Sequence, residues 1–249
     1  MRREAQNILL VLLGGALLEI AVNGTYLRYV KPTQQPWLIV AGATMVVLAV
    51  VAIAKDIRAG RPSSVDEDTS LVADATSGHG HRTRSTWMLV LPVLTIFLVA
   101  PPALGADAVN RSNGRTAASG QNQRAIVKTY FPPLPAGAVV PMPVSEVVTR
   151  ASSDATNSLN GRTVALTGFV VRTKADVYLV RLVIACCAAD AFPVKTKLDG
   201  ANLSALKNDE WIETTGIVAP DSATSANGYT PTLATASMRQ IPAPADPYE

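Results

Sequence analysis

Two adjacent cysteines, Cys186 and Cys187, are followed by Asp190 in the stretch VIACCAADAFPV, and the chain contains no other cysteine. Cysteine thiolates and a carboxylate are suitable ligands for a thiophilic metal such as zinc or copper(I). The pair could instead undergo redox chemistry, or it could be two small apolar residues in a buried strand. The residues alone leave these three interpretations open.

Strand periodicity determines where the two sulfurs point. Successive side chains of a regular strand alternate between faces, so a strand continuing through VYLVRLVIACC would separate Cys186 from Cys187. Arg181 and Cys187 would then lie on a partly exposed face, while Cys186 would enter the core. A bulge or turn would instead let Cys187 and Asp190 converge. The predicted core face consists of Tyr178, Val180, Leu182, Ile184 and Cys186.

Polar residues in the N-terminal part are the other candidates for chemistry. Glu19 lies near the middle of the apolar run 8–27, with Gly15 one helical turn earlier on the same face. Glu19 could relay a cation or proton, anchor a partner subunit, or be a protonated carboxyl bound by a neighbouring helix. The glycine would allow close helix contact there. His79 and His81 form one H-x-H pattern in a polar loop, a weak metal signal.

The composition indicates a membrane protein. Of the 249 residues, 48% are hydrophobic and only 16% are charged, whereas soluble domains contain about 25% charged residues. Three apolar runs, 8–27, 37–54 and 87–104, are each long enough to span a bilayer as a helix. A cleaved signal peptide is the alternative for the first run, but Glu19 interrupts it and no A-x-A site follows, which favours a retained helix.

Basic residues predict the orientation of these spans. An N-terminus in the cytoplasm places seven Lys and Arg residues inside and two outside, as the positive-inside rule favours. The predicted organisation is a membrane domain (1–104) with a cytoplasmic loop (55–86), an extracytoplasmic linker (105–143) and an extracytoplasmic domain (144–249). The predicted location is therefore the plasma membrane, in multi-pass form.

The last part of the chain has the period-two hydrophobicity of β-strands. Five strands with a short helical element between the third and fourth match an OB-like small barrel. An immunoglobulin-like sandwich would need about seven strands. The strands carry neither stacked aromatics nor a dense basic groove, so we do not expect nucleic acid as a partner.

No pattern in the chain indicates an enzyme. G-x-S-x-G, a P-loop and H-E-x-x-H are all missing from the sequence. The predicted topology also places both histidines across the membrane from the β domain. We therefore expect no catalytic residue.

Several stretches together resemble the YcgQ-like family of bacterial membrane proteins, described as subunits of a two-component permease. The similar stretches are YLRYVKPTQQPWLIVAG, APPALGADAVNRS, RLVIACCAADAFPV and DPYE. The resemblance implies a polytopic partner of the YcgR type. It also implies that Arg181, Cys186, Cys187 and Asp190 form the family signature.

Three functional hypotheses follow. The first is an accessory subunit of a membrane permease, whose OB-like domain covers or gates the transporter. The second is an extracytoplasmic metal- or thiol-handling protein that uses Cys186 and Cys187, with zinc or copper as the candidate cofactors. The third is a membrane-anchored module that binds a ligand of the cell envelope.

Overall fold

The computed structural model describes residues 3–58, 102–111 and 127–249. The chain divides into two compact units, the first within Met1–Tyr26 and Pro32–Pro102 and the second comprising Leu27–Lys31 and Ala103–Glu249. His79, His81 and most of the predicted third span, 87–104, lie outside the described residues.

The described part of the first unit consists of two apolar helices. Helix α1 covers Arg3–Val22 and helix α2 covers Gln35–Arg58. Together with the preceding turn, α2 gives a helical stretch of 27 residues whose most apolar 18-residue window has a mean hydropathy of 2.6, long and apolar enough to cross a membrane. The apolar part of α1 is shorter. Within the described residues there is thus one candidate span, which by length and composition could be a membrane anchor or a signal sequence.

Close packing of α1 on α2 depends on two glycines. A Cβ atom at Gly14 would lie 2.8 Å from the carbonyl oxygen of Gly42, and a Cβ atom at Gly42 would lie 2.9 Å from that of Gly14. Both distances are too short for a side chain, so the backbones approach as they do at small-residue interfaces of membrane helices. Gly15 meets nothing within 4 Å. The contact with α2 therefore uses Gly14, and not the predicted face of Gly15 and Glu19.

A six-stranded mixed sheet forms the second unit. The strands are β1 (Val139–Pro141), β2 (Thr163–Arg172), β3 (Val177–Val183), β4 (Phe192–Asp199), β5 (Trp211–Val218) and β6 (Thr232–Gln240). The antiparallel pairs are β2–β3, β3–β4, β2–β5 and β5–β6. The β1–β2 and β4–β6 pairs are parallel.

Two short helices accompany the sheet. Helix α3 covers Ala106–Arg111 and helix α4 covers Val144–Ser153. The apolar face of α4 joins the larger core, which contains buried residues of β2, β3, β4, β5 and β6. The strands predicted from period two appear at nearly the same positions, because their alternating residues face this core.

The prediction for β3 is correct for one face and wrong for the other. Val180, Leu182 and Ile184 are buried as predicted, but the opposite face is not partly exposed. Val177, Leu179 and Val183, assigned to the partly exposed face, pack into the larger core. Val180 and Leu182 instead join a second apolar cluster. Residues of α3 and the end of the chain cover that second face, so both faces of β3 are buried. The second cluster consists of Ala106, Phe169, Val171, Val180, Leu182, Ile184 and Tyr248.

Replacing Gly14 by Ala should destabilise the packing of α1 on α2. The added methyl group would overlap the Gly42 carbonyl, and overpacking of this kind costs about 1–3 kcal/mol. Thermal unfolding of the full chain in detergent, followed by circular dichroism, measures the effect. Gly15→Ala is the matched control, since its methyl group enters open space. Equal midpoints for the two variants would contradict the glycine contact.

Candidate metal-binding site

The loop that joins β3 to β4 carries both cysteines. The register pairs Val183 with Phe192, so β3 must end at Val183 and residues 184–191 must reverse the chain. A single turn of 3-10 helix at Ala188–Asp190 makes part of this reversal. The cysteines therefore precede a turn and do not belong to a regular strand.

Asp190 holds the backbone of this loop in place. One of its carboxylate oxygens accepts a hydrogen bond from the Ala185 N–H at 2.8 Å, and the other accepts one from the Cys186 N–H at 2.9 Å. The Asp190 N–H in turn donates to the Cys187 carbonyl at 3.0 Å. Backbone groups in a loop need such partners, and here one side chain supplies two.

The loop brings three potential metal ligands together. The sulfurs of Cys186 and Cys187 lie 3.3 Å apart, and the ligand atoms of Cys186, Cys187 and Asp190 all lie within 4.8 Å of one another. Cys186 is exposed and Cys187 is partly buried. The prediction that Cys186 enters the core is therefore wrong, because the strand ends before the cysteines. The alternative turn geometry is the one observed.

Protonation states of the site are linked through Asp190. Its carboxylate accepts a hydrogen bond from the Cys186 thiol and, together with Cys187, raises the pKa of Cys186 to about 12. The same hydrogen bond and those from backbone N–H groups lower the pKa of Asp190. At neutral pH the free Cys186 is thus a thiol, and a metal must displace its proton to bind the thiolate. Metal affinity should accordingly fall as the pH is lowered.

A segment that precedes α2 in sequence pairs with the cysteines. Val30 forms an isolated antiparallel bridge with Cys187. The Lys31 N–H donates to the Cys186 carbonyl at 3.2 Å, and the Ala188 N–H donates to the Tyr29 carbonyl at 2.7 Å. This pairing could not be predicted from the sequence, because it uses backbone groups and has no side-chain pattern.

Arg181 is buried, contrary to the predicted partial exposure, and it binds the end of the chain. Only 8% of the residue is exposed. Its guanidinium donates a hydrogen bond to the Tyr248 carbonyl at 2.7 Å and lies 3.4 Å from the Glu249 carboxylate. The guanidinium carbon also lies over the Trp211 ring, 5.1 Å from the ring centroid. Burial lowers the pKa of Arg181, whereas the charge of Glu249 opposes this. These contacts give Arg181 a structural role.

Glu249 joins Arg181 to helix α4. Its two carboxylate oxygens accept hydrogen bonds from the N–H groups of Val144 and Ser145, at 3.0 and 2.9 Å. These N–H groups have no partner within the helix, and a negative charge is favourable at a helix N-terminus. No sequence pattern indicates this contact, which joins residues about one hundred positions apart.

Glu19 lies exposed on α1. Within the described residues no hydrogen bond or ion pair of its carboxylate is present, and its backbone carbonyl accepts a hydrogen bond from Asn23 at 3.0 Å. His79 and His81 are outside the described residues. Of the predicted site residues, the structure therefore brings together Cys186, Cys187 and Asp190.

Two family models match the chain. The DUF1980 N-terminal domain matches residues 5–114, and the DUF1980 C-terminal domain matches residues 148–249. No curated protein and no solved structure matches the chain. The matches do not mention a permease, so the resemblance to the YcgQ-like family remains a prediction.

Removing the Arg181 side chain should strongly destabilise the second unit. Arg181→Ala would leave the Glu249 carboxylate without its cation in a largely buried position, and breaking a buried ion pair in this way costs about 3–5 kcal/mol. Denaturant unfolding of the full chain, followed by tryptophan fluorescence, measures the change. The exposed pair Arg239–Glu213 is the control, since Arg239→Ala should cost at most about 1 kcal/mol. Similar losses in both variants would contradict the structural role of Arg181.

Proposed function

We propose that this chain, which carries the N-terminal and C-terminal domains of the DUF1980 family, is a membrane-anchored accessory subunit of a permease that binds a thiophilic metal ion. The observation that carries the proposal is the convergence of Cys186, Cys187 and Asp190 on the surface of the second unit. Zinc and copper(I) are the ions whose ligand preferences suit two thiolates and a carboxylate.

The geometry of the cysteine pair favours chelation over disulfide formation. Neighbouring Cα atoms are about 3.8 Å apart, whereas disulfides usually join Cα atoms separated by about 4.4–6.8 Å. A vicinal disulfide would have to overcome this mismatch. Two sulfurs that share one tetrahedral zinc, each at about 2.3 Å, lie about 3.8 Å apart. The observed separation of 3.3 Å needs only a small adjustment to reach that distance.

Three protein ligands leave a coordination position open. Structural zinc sites are closed by four ligands, whereas sites with an exchangeable ligand keep one position free. Cys186 is exposed, so a ligand from solvent, from a partner chain or from a cargo molecule has access to the metal. An open and exposed site suits an ion that is received and passed on, which is the chemistry expected of a transport accessory.

An OB-like barrel is the fold that we propose for the second unit. Its support is the closed order of pairing β2–β3–β4–β6–β5–β2, in which β4 and β6 are parallel neighbours. The short 3-10 turn Leu203–Ala205 lies between β4 and β5, where the sequence predicted a helical element. In this proposal the barrel presents the metal-binding loop and has no catalytic residue or nucleic-acid partner.

We also propose a multi-pass location in the plasma membrane, with a cytoplasmic N-terminus and an extracytoplasmic second unit. The support is the apolar α2 together with the excess of basic residues in the loops predicted to be cytoplasmic. The three predicted spans belong to this proposal, as does the extracytoplasmic position of the cysteines.

The exposed position of Glu19 on α1 supports the proposal of a polytopic partner. A carboxylate in an apolar helix is costly in lipid and normally faces protein or water. Gly14 makes the contact with α2, whereas Glu19 is exposed and Gly15 has open space beside it. A helix of a permease that packs on this face would give the carboxylate a polar partner.

Metal binding can be measured on the purified full chain in detergent. We expect one zinc or copper(I) ion per chain, bound in competition with a chelator of known affinity, and weaker binding at lower pH because protons compete for the thiolates. Cys187→Ser should lower the affinity at least tenfold, since it removes one of two soft ligands. Ser204→Ala is the control, as this residue lies away from the site in the Leu203–Ala205 turn. A metal-free protein at equimolar ion would disprove this function.

Partner binding can be measured by copurification from native membranes and mass spectrometry. We expect a polytopic membrane protein in the wild-type sample and a severalfold loss in Glu19→Leu, because the leucine cannot bind a polar group. Glu19→Gln should retain more partner, since an amide still forms hydrogen bonds. Gln6→Leu, an exposed polar position earlier in α1, is the control. Wild-type samples without any polytopic protein would contradict the permease proposal while leaving metal binding intact.

A further inference from the structure

Two sets of hydrogen bonds fix the backbone around the cysteine pair. Asp190 binds the N–H groups of Ala185 and Cys186 from one side. Residues 29–31 bind the other side, through the Cys186 carbonyl and the Ala188 N–H. The second set comes from a segment more than 150 positions away in the sequence, and the metal-binding proposal does not by itself explain it.

The bridge also determines what lies beside Cys187. Val30 and Cys187 are a non-hydrogen-bonded antiparallel pair, because the hydrogen bonds join the residues that flank them. In such pairs the Cα atoms are about 4.5 Å apart and the side chains are close neighbours. Cys187 itself is extended, with φ −155° and ψ 168°. The bridge thus holds one of the two sulfur-bearing residues in a defined backbone conformation.

A further contact holds the residue that directly precedes the segment 29–31. The Tyr248 hydroxyl donates to the Arg28 carbonyl at 2.8 Å, and Tyr248 is only 5% exposed. Tyr248 is itself fixed by Arg181 and by a bridge to Leu182. The segment is therefore bound at Arg28 by a buried side chain and at residues 29–31 by backbone groups.

We propose that metal binding at Cys186 and Cys187 is coupled to the pairing of residues 29–31 with the cysteine loop. The coupling is positive: the bridge holds the two sulfur-bearing residues close to a chelating arrangement, and a bound ion stabilises the bridge. This regulation rests on the metal-binding function proposed above. It makes the connection between α1 and α2 responsive to occupancy, since the chain continues from Lys31 through Pro32–Gln34 into α2.

Thermodynamic linkage gives the coupling two measurable sides. If the bridge increases the affinity for the ion by some factor, the ion must stabilise the bridge by the same factor. Loosening the bridge should therefore weaken metal binding, and adding metal should slow hydrogen exchange in residues 29–31. The first effect needs a variant, whereas the second can be observed on the wild-type chain.

Lys31→Pro tests the first effect. Proline lacks the N–H that donates to Cys186, and it favours extended backbone at the preceding Val30, as the bridge requires. Lys31→Ala loses the same side chain but keeps the N–H, so the ratio between the two variants isolates the hydrogen bond. In detergent, with zinc(II) alone as the probe, we expect Lys31→Pro to bind about 5- to 150-fold more weakly than Lys31→Ala.

Hydrogen exchange with mass spectrometry tests the second effect on the unmodified protein. Zinc(II) should slow exchange in peptides that contain residues 29–31, and it should not do so in Cys187→Ser. Equal zinc affinities of the two Lys31 variants, or unchanged exchange in zinc-loaded wild-type protein, would overturn the coupling alone. Failure of the wild-type chain to bind zinc(II) or copper(I) would instead overturn the proposed function.

Discussion

Antiparallel pairing of β3 with β4 is the constraint on which the cysteine site depends. The register that joins Val183 to Phe192 sets the length of the intervening loop. Backbone polar groups in such a loop need partners, and Asp190 supplies two of them from within the loop. Once the turn has closed around Asp190, the two cysteines cannot continue the strand alternation. Their sulfurs then lie on the same side of the chain.

A second constraint is the charge of Arg181, which is buried beside Tyr248 and Trp211. Burying an unpaired cation is very unfavourable, so the guanidinium must be compensated. Glu249 provides the opposite charge and also binds the first N–H groups of α4. The end of the chain, α4 and β3 are therefore held by one polar cluster. The same cluster positions Tyr248, whose hydroxyl binds the Arg28 carbonyl.

Local periodicity predicts strands β2 to β6, but it predicts neither β1 nor the environment of β3. Strand β5 alternates throughout between buried and more exposed residues, and the first half of β2 does the same. Both faces of β3 are apolar except for Arg181, so the residue types could not distinguish them. The partner of Arg181 is Glu249, which is distant in sequence, so no local pattern predicts this ion pair. The sequence indicates the turn at Asp190 only as an alternative, because strand alternation and turn formation compete at the end of β3.

The pairing of residues 29–31 with the cysteine loop orders the backbone of the proposed metal site before any ion binds. Two adjacent thiols on a free loop would lose much conformational entropy on binding an ion, and this loss would weaken the affinity. Here Asp190 and the bridge have already ordered the backbone on both sides of Cys186 and Cys187. Part of that ordering comes from a segment that leads directly into an apolar helix. In the coupling that we propose, the same hydrogen bonds would determine the ligand geometry and the connection between α1 and α2.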